Sequence, residues 1–260
     1  MSDASGTYVY DQDWKEERDR LAGMEQLWDD GTKAIVESLG ISPGWRCLEI
    51  GGGAGSIAEW LADRVAPAGE VLATDVSTRY LSAIERPNLE VREHDVLKDP
   101  LPAEHYDLVH ARLVVEHLGR PALERMAPAV RPGGWLVLED YSFAAVAVDP
   151  PDELFERVTA AVLDFMSQAG FDPEYGPKLV RELEAVGLEA VEAAGRSRVY
   201  RGGSPGTAFM RLSLDSLRDA LVAAGALTAD EIDQTLARVD DPETVFTSPL
   251  MIGAWGRKPL

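Results

Sequence analysis

The residues best equipped for chemistry lie in Arg46-Cys-Leu-Glu49-Ile-Gly51-Gly-Gly53-Ala-Gly55-Ser56, where a short apolar strand ending in an acid runs into a glycine-rich loop. Glycines at 51, 53 and 55 remove Cβ atoms that would block a ligand, permit positive φ and leave amide N–H groups near the next helix's N-terminus. Glu49 decides which ligand suits the loop. A dinucleotide loop reads G-x-G-x-x-G and aims its helix dipole at a pyrophosphate, whereas here Ser56 stands at the third glycine's place and a carboxylate precedes the turn. An acid there repels phosphate and favours a cation. Taken alone, the loop also fits a tight strand-to-helix turn or a dinucleotide site.

The flanking segments have the intervals of a βαβ repeat. Apolar residues at 57, 58, 61, 62 and 65 form a helical stripe, and Pro67-Ala-Gly69 ends it before a second strand, Val71 to Asp75. Asp75, about twenty residues beyond the loop, is placed to accept hydrogen bonds from both hydroxyls of a ribose. Its alternative is to cap a helix starting near Ser77. Leu89 to Val91 begins a third strand, followed by a polar turn at Asp95-Val96, where Asp95 reads equally as a solvated turn residue. Tyr106 to Arg112 is a fourth strand, with a helix from Leu113 to Leu118. Arg131-Pro-Gly-Gly134 turns the chain into a fifth, Trp135 to Tyr141.

These five signals, across roughly residues 36 to 142, resemble the class I, Rossmann-like S-adenosylmethionine (SAM)-dependent methyltransferases, whose first motif E/D-x-G-x-G-x-G matches Glu49-Ile-Gly51-Gly-Gly53-Ala-Gly55. The resemblance implies an α/β fold: a Rossmann-like, doubly wound, seven-stranded sheet whose last strand is antiparallel, with helical lid insertions after strands 5 and 6. It implies SAM as cofactor. In the family, the acid at Asp95 contacts the adenine amino group and the next backbone N–H, that of Val96, meets the ring. Backbone carbonyls at the fourth strand's end, here His110 or Ala111, bind the α-amino group, and Arg112 either meets the cofactor carboxylate or pairs with a core acid. The expected cofactor set is therefore Glu49, Gly51, Gly53, Gly55, Ser56, Asp75, Val76, Asp95, Val96, His110, Ala111 and Arg112.

The expected division has an N-terminal helical segment (1–35) covering the active site, a cofactor-binding core (36–147), and two helical lid insertions (148–177 and 202–243). The rest of the core sheet falls at 178–201 and 244–260. Phe155, Val158, Val162, Phe165 and Met166 recur at helical spacing in the first insertion, and two helices separated around Gly225 fill the second. Strands are expected from Leu188 to Tyr200 and from about Thr247 to Trp255. In an open parallel sheet ligands bind beyond the carboxyl ends of the strands, so insertions leaving at that end should roof the pocket. Near the N-terminus, Tyr8, Tyr10 and Trp14 precede a helix bearing Leu21, Met24, Leu27 and Trp28 on one side, broken near Asp29-Asp-Gly31. Its aromatics need cover, which an active-site mouth, a dimer contact or core packing would each give. Tyr10, Phe155 and Phe165 are the expected acceptor contacts.

Methyl transfer proceeds by in-line displacement, with the nucleophile about 3 Å from the methyl. An O–H or N–H acceptor must also lose a proton, and His110 and His117 are the histidines near the reaction edge able to take it; positioning alone is the alternative. Forty-five acids against 25 basic residues, a net charge of −20, disfavour a nucleic-acid acceptor, because phosphate affinity comes from Lys and Arg. The four histidines, at 94, 105, 110 and 117, form no metal box, and Cys47 reads as a small buried hydrophobe. No apolar run approaches the roughly 18 residues of a membrane span, and the first residues do not read as a secretory signal, so a cytoplasmic protein is expected. The leading function is methyl transfer from SAM to O, N or C of a small organic metabolite. The alternatives keep the fold and replace the reaction with a non-methylating one such as cyclisation, or with a non-catalytic regulatory role.

Overall fold

The computed structural model describes residues 14–260, which group into two compact units. The first comprises residues 28–142, 174–196 and 251–260. It is built on β1 (Arg46–Ile50), β2 (Glu70–Asp75), β3 (Leu89–Glu93), β4 (Tyr106–Arg112), β5 (Val130–Ser142), β7 (Glu189–Arg196) and β10 (Leu250–Arg257). These form one seven-stranded sheet in the order β3-β2-β1-β4-β5-β10-β7, with β10 antiparallel to β7. β1 pairs in parallel with both β2 and β4, so the strand order reverses between β1 and β4, the place where open sheets of this kind bind ligands beyond their carboxyl ends.

β4 is buried along its whole length, as a central parallel strand covered on both faces must be. On one face Cys47, Leu108 and Val137 pack with Ile35 and Val36 of α1 (Glu17–Ser38) and with Ile57, Leu61 and Val65 of α2 (Ser56–Val65). On the other, Leu48, Val109 and Leu138 pack with Val115 of α3 (Val115–Leu118), Leu123 and Met126 of α4 (Arg120–Met126), and Leu179 and Leu183 of α6 (Leu179–Ala185). The Pro-Gly-Gly stretch lies inside β5, where the register with β4 jumps between Tyr106 and Leu108.

One expectation is corrected. α1 runs without interruption through Asp29-Asp-Gly31. A mid-helix glycine costs about 1 kcal/mol, but a Cβ on Gly31 would lie 2.1 Å from Nε of Arg196, so the missing side chain admits that guanidinium.

The second unit takes residues up to 27, 143–173 and 197–250. Its helices are α5 (Glu153–Gln168), α7 (Ala208–Ala223) and α8 (Ala229–Asp240), as the apolar periodicity predicts. Val158 and Met166 of α5 close on Leu214, Leu217 and Leu221 of α7 and Ile232 and Leu236 of α8. Asp152 caps α5 by accepting from the amides of Leu154 and Phe155, and Thr228 and Glu231 form a reciprocal capping box at α8.

This unit also holds a small antiparallel sheet, β6 (Ala147–Asp149), β9 (Val245–Thr247) and β8 (Val199–Arg201), in the order β6-β9-β8. Each strand expected near 188–200 and 247–255 is thus divided between two sheets. The divisions are pinned together: Ser248 Oγ accepts from the Arg198 amide at 2.9 Å, and the Ser248 amide donates to the Arg198 carbonyl at 2.9 Å. Each break is only two residues long, Ser197-Arg198 and Ser248-Pro249, too short to read as a loop between separate strands. Among the described residues no helix is long and apolar enough to cross a membrane.

Candidate cofactor-binding and active site

Gly51, Gly53 and Gly55 adopt positive φ, +69°, +55° and +92°. The loop is tightly packed from behind, since a Cβ on Gly51 would lie 2.4 Å from Cγ2 of Val114 and one on Gly55 would lie 2.1 Å from Cδ1 of Ile84. Side chains are therefore excluded by space as well as by backbone conformation. The amides of Gly51 and Gly52 donate to the Thr74 carbonyl, closing the turn onto β2, and Ser56 opens α2 behind Gly55.

Asp75 ends β2 with its carboxylate held from two sides. Oδ2 accepts from the Gly53 amide at 2.9 Å and Oδ1 from the Ser77 amide at 3.1 Å. No α-helix follows Ser77; only a single 3-10 turn forms at Leu81–Ala83, which removes the helix-capping alternative. Val76 beside it is exposed. Asp95, just past β3, accepts from the Leu97 amide at 2.9 Å and pairs with Lys98 at 2.7 Å. The Lys98 hydrogen bond, opposed by burial and aided by the Leu97 amide, holds this carboxyl below its usual range. Val96 turns its side chain into the sheet's core.

The sheet register sets Glu49 opposite His110 and Arg112 opposite Glu139. Side chains two apart on a strand share a face, so four ionisable groups meet beneath the loop. His110 is fully buried, with Nδ1 2.6 Å from Glu49 Oε2 and Nε2 3.4 Å from Glu139 Oε2. Burial works against the imidazolium, but the Glu49 charge and hydrogen bonds to both glutamates outweigh it and raise the His110 pKa to about 9. Glu139, opposed by burial but held by His110, Arg196 and Arg112, falls to about 2. Arg196 Nη2 lies 2.6 Å from Glu139 Oε1, an ion pair by distance whose angles fall outside those of a hydrogen bond. Thr32 Oγ1 donates to Glu139 Oε2 and accepts from Arg112 Nη1 at 2.9 Å, while Arg112 Nη2 donates to Asp29 Oδ1 at 2.9 Å. Arg112 thus has the core-acid partner that the sequence left as one of two options. Ala111, between His110 and Arg112, is buried with its backbone in the ladder opposite Ile50.

On the opposite face Asp140 and Glu116 are both buried, and the Glu116 amide faces Asp140 Oδ1 at 3.4 Å. Burial first and the neighbouring Glu116 second raise the Asp140 pKa well above the ordinary carboxylate range. His117, in α3, has Nε2 3.8 Å from Glu116 Oε1.

The remaining expected contacts are distributed otherwise. Phe155 packs in the second unit's own core, its ring 5.4 Å from that of Phe246, and Phe165 is half-buried against the α5–α7–α8 cluster. Tyr10 lies outside the described residues. A groove of about 400 Å³ opens at the other edge of the sheet, lined among others by Arg46, Glu70, Leu89 and His105 at the amino ends of β1 to β4, and holds none of the predicted site residues.

Sequence reasoning overlooked Asp29, Thr32, Glu139 and Arg196. A usable signal existed for Glu139: Trp-Leu-Val-Leu-Glu-Asp-Tyr puts two acids inside an apolar strand, and a buried acid demands a partner.

A sequence family described as a methyltransferase domain matches residues 48–138, the stretch that runs from the glycine loop through β5. Over this stretch the chain is similar to methyltransferase domains. The chain is 35% identical over 145 residues to methyltransferase str2 of Strobilurus tenacellus, covering 54% of this chain and 52% of that protein. It is 29% identical over 193 residues to the ubiquinone/menaquinone biosynthesis C-methyltransferase UbiE of Cupriavidus necator, covering 65% and 76%. The chain thus spans about half the length of the first relative and three quarters of the second. In fold, the chain resembles phosphoethanolamine N-methyltransferase 2 of Haemonchus contortus, solved with phosphomonomethylethanolamine and S-adenosylhomocysteine (TM-score 0.58, 16% identity, 95% of this chain and 58% of that one). It also resembles a SAM-dependent methyltransferase of Aquifex aeolicus (TM-score 0.50, 16% identity, 92% and 98%).

Proposed function

We propose that this protein transfers a methyl group from SAM to an oxygen, nitrogen or carbon of a small organic molecule. The observation that carries the reading is the convergence of Glu49, the positive-φ glycines, Asp75 and Asp95 at the carboxyl ends of β1, β2 and β3, with the Gly53 amide bonded to Asp75. The donor set suits SAM: carboxylates for its hydroxyl, amino and ammonium groups, with Glu49, an acid that disfavours phosphate, ahead of the loop. When bound, SAM supplies an electrophilic sulfonium methyl.

In this reading Asp75 holds the ribose hydroxyls, with Ser56 and Val76 beside them, Asp95 and the Val96 amide hold the adenine, and Glu49 with the carbonyls of His110 or Ala111 receives the α-ammonium. Asp75→Ala should weaken SAM binding by roughly 1.5–3 kcal/mol, on the order of tenfold to a hundredfold, by calorimetric titration. An unchanged dissociation constant would move the ribose elsewhere. His110 has a carboxylate at each ring nitrogen and no position from which to take an acceptor's proton. That leaves His117, and His117→Ala should slow turnover by about 10²-fold or more while the SAM dissociation constant holds, if it is the base. Wild-type turnover would assign proton removal to the acceptor's own acidity or to solvent.

We assign acceptor choice to the helical insertions 148–177 and 202–243, with the half-buried Phe165 of the first and without Phe155, which its own core encloses. A small acceptor is supported by the net charge of −20, which repels nucleic acid, and by relatives whose names place them in quinone biosynthesis. Cytoplasmic residence belongs to the same proposal. Incubation with methyl-labelled SAM and a small-molecule extract, read by mass, tests it. A labelled product one CH₂ heavier than its precursor is expected; an unlabelled product of unchanged formula would mean a non-methylating reaction.

A further inference from the structure

His110 is set between two carboxylates on neighbouring strands, and this placement dictates its proton count. A neutral imidazole has one N–H and one lone pair. Either tautomer would direct that lone pair at Glu49 Oε2, 2.6 Å from Nδ1, or at Glu139 Oε2, 3.4 Å from Nε2. Two protons satisfy both sides. The surrounding groups balance the charge: Arg196 on β7 faces Glu139, Arg112 on β4 faces Thr32 and Asp29 on α1, and Lys33 reaches Asp29 at 3.5 Å. With His110 protonated, three cations (His110, Arg112, Arg196) meet three anions (Asp29, Glu49, Glu139) in the buried cluster.

We propose that His110 is a positioning residue, a fixed imidazolium that orients the Glu49 carboxylate toward the α-ammonium of the cofactor. The inference rests on the reading of this sheet edge as the SAM site. Glu49 is 3% exposed, too enclosed for water to fix its orientation. The Nδ1 contact ties down one of its oxygens, which sets the direction of the other. Glu139 serves at one remove, holding the ring from its far nitrogen while Thr32 and Arg196 hold Glu139. The chain of contacts thus runs from α1 and β7 through β5 and β4 to the end of β1.

The discriminating experiment compares two ligands, one with the amino-acid end and one without. S-adenosylhomocysteine and 5′-methylthioadenosine share the adenosine and thioether, and only the first carries an ammonium group. Both are titrated into the wild-type protein and H110N by calorimetry. The expected result is an S-adenosylhomocysteine affinity at least about tenfold weaker in H110N, with 5′-methylthioadenosine affinity within about twofold of wild type. Equal weakening of both ligands, or of neither, would overturn the positioning role. Should H110N not fold, ¹⁵N-histidine NMR of the wild-type protein decides: both His110 nitrogens are expected protonated at about pH 7.5, and a neutral ring would overturn the proposal. Wild-type protein that binds neither ligand would refute the SAM site itself, whereas wild-type binding with an unchanged preference in H110N refutes this inference alone.

Discussion

Glu139→Ala is expected to lower folding stability by about 3–5 kcal/mol, because it removes the anion shared by His110, Arg196 and Thr32 and leaves buried cations without a counter-charge. The loss is electrostatic more than volumetric. Glu139 is fully buried, so water cannot replace what is removed. Gly253 on β10 leaves room only for the present arrangement, since a Cβ there would lie 3.0 Å from Glu139 Oε1 and 2.5 Å from Ile35 Cδ1. Urea unfolding near neutral pH, analysed by linear extrapolation, measures the effect. A loss below about 1 kcal/mol would mean that the cluster reorganises around the gap.

Stability should also fall as the solution becomes alkaline. His110 titrates at about 9 in the folded chain against an ordinary value of 6.5. Below 6.5 both folded and unfolded chains hold the proton and the stabilisation is complete; above it the unfolded chain releases the proton first, and the advantage is gone once pH passes about 9. This shift is worth up to roughly 3 kcal/mol. Glu139 gives the opposite limb: its pKa is depressed from 4.5 to about 2, so its contribution is present above 4.5 and is lost as pH falls through 2. Unfolding free energies measured across this range should decline between about 6.5 and 9, and His110→Asn should remove that decline. An alkaline limb that survives in the variant would assign the slope to other groups.

The two kinds of residue in this site differ in how they are encoded. The loop, Asp75 and the α2 stripe are legible because each is a local event: glycine where positive φ is required, an acid where a strand stops, apolar residues at helical spacing. His110 also stands out by type, but its role does not. Its partners lie 61 and 29 residues away, and nothing within the fourth strand tells a base from a clamped cation. Gly31 misleads for a related reason, since its helix cost is local while the Arg196 side chain that occupies its space comes from a distant strand. The three-stranded sheet is not legible because only Ser197-Arg198 separates β8 from β7 and only Ser248-Pro249 separates β9 from β10.

The order of strands in the large sheet sets a schedule for synthesis. β10 lies between β5 and β7, so when a ribosome has made residues through 196 the strand β7 still has no partner to receive it. Until residues 250–257 emerge, the edge of β5 stays open, and an unpaired strand edge is a template for pairing with other chains. Nascent chains of this protein are therefore most prone to misassociate late, with most of the parallel sheet already made, and a translational pause before codon 250 should increase aggregation more than one before codon 130.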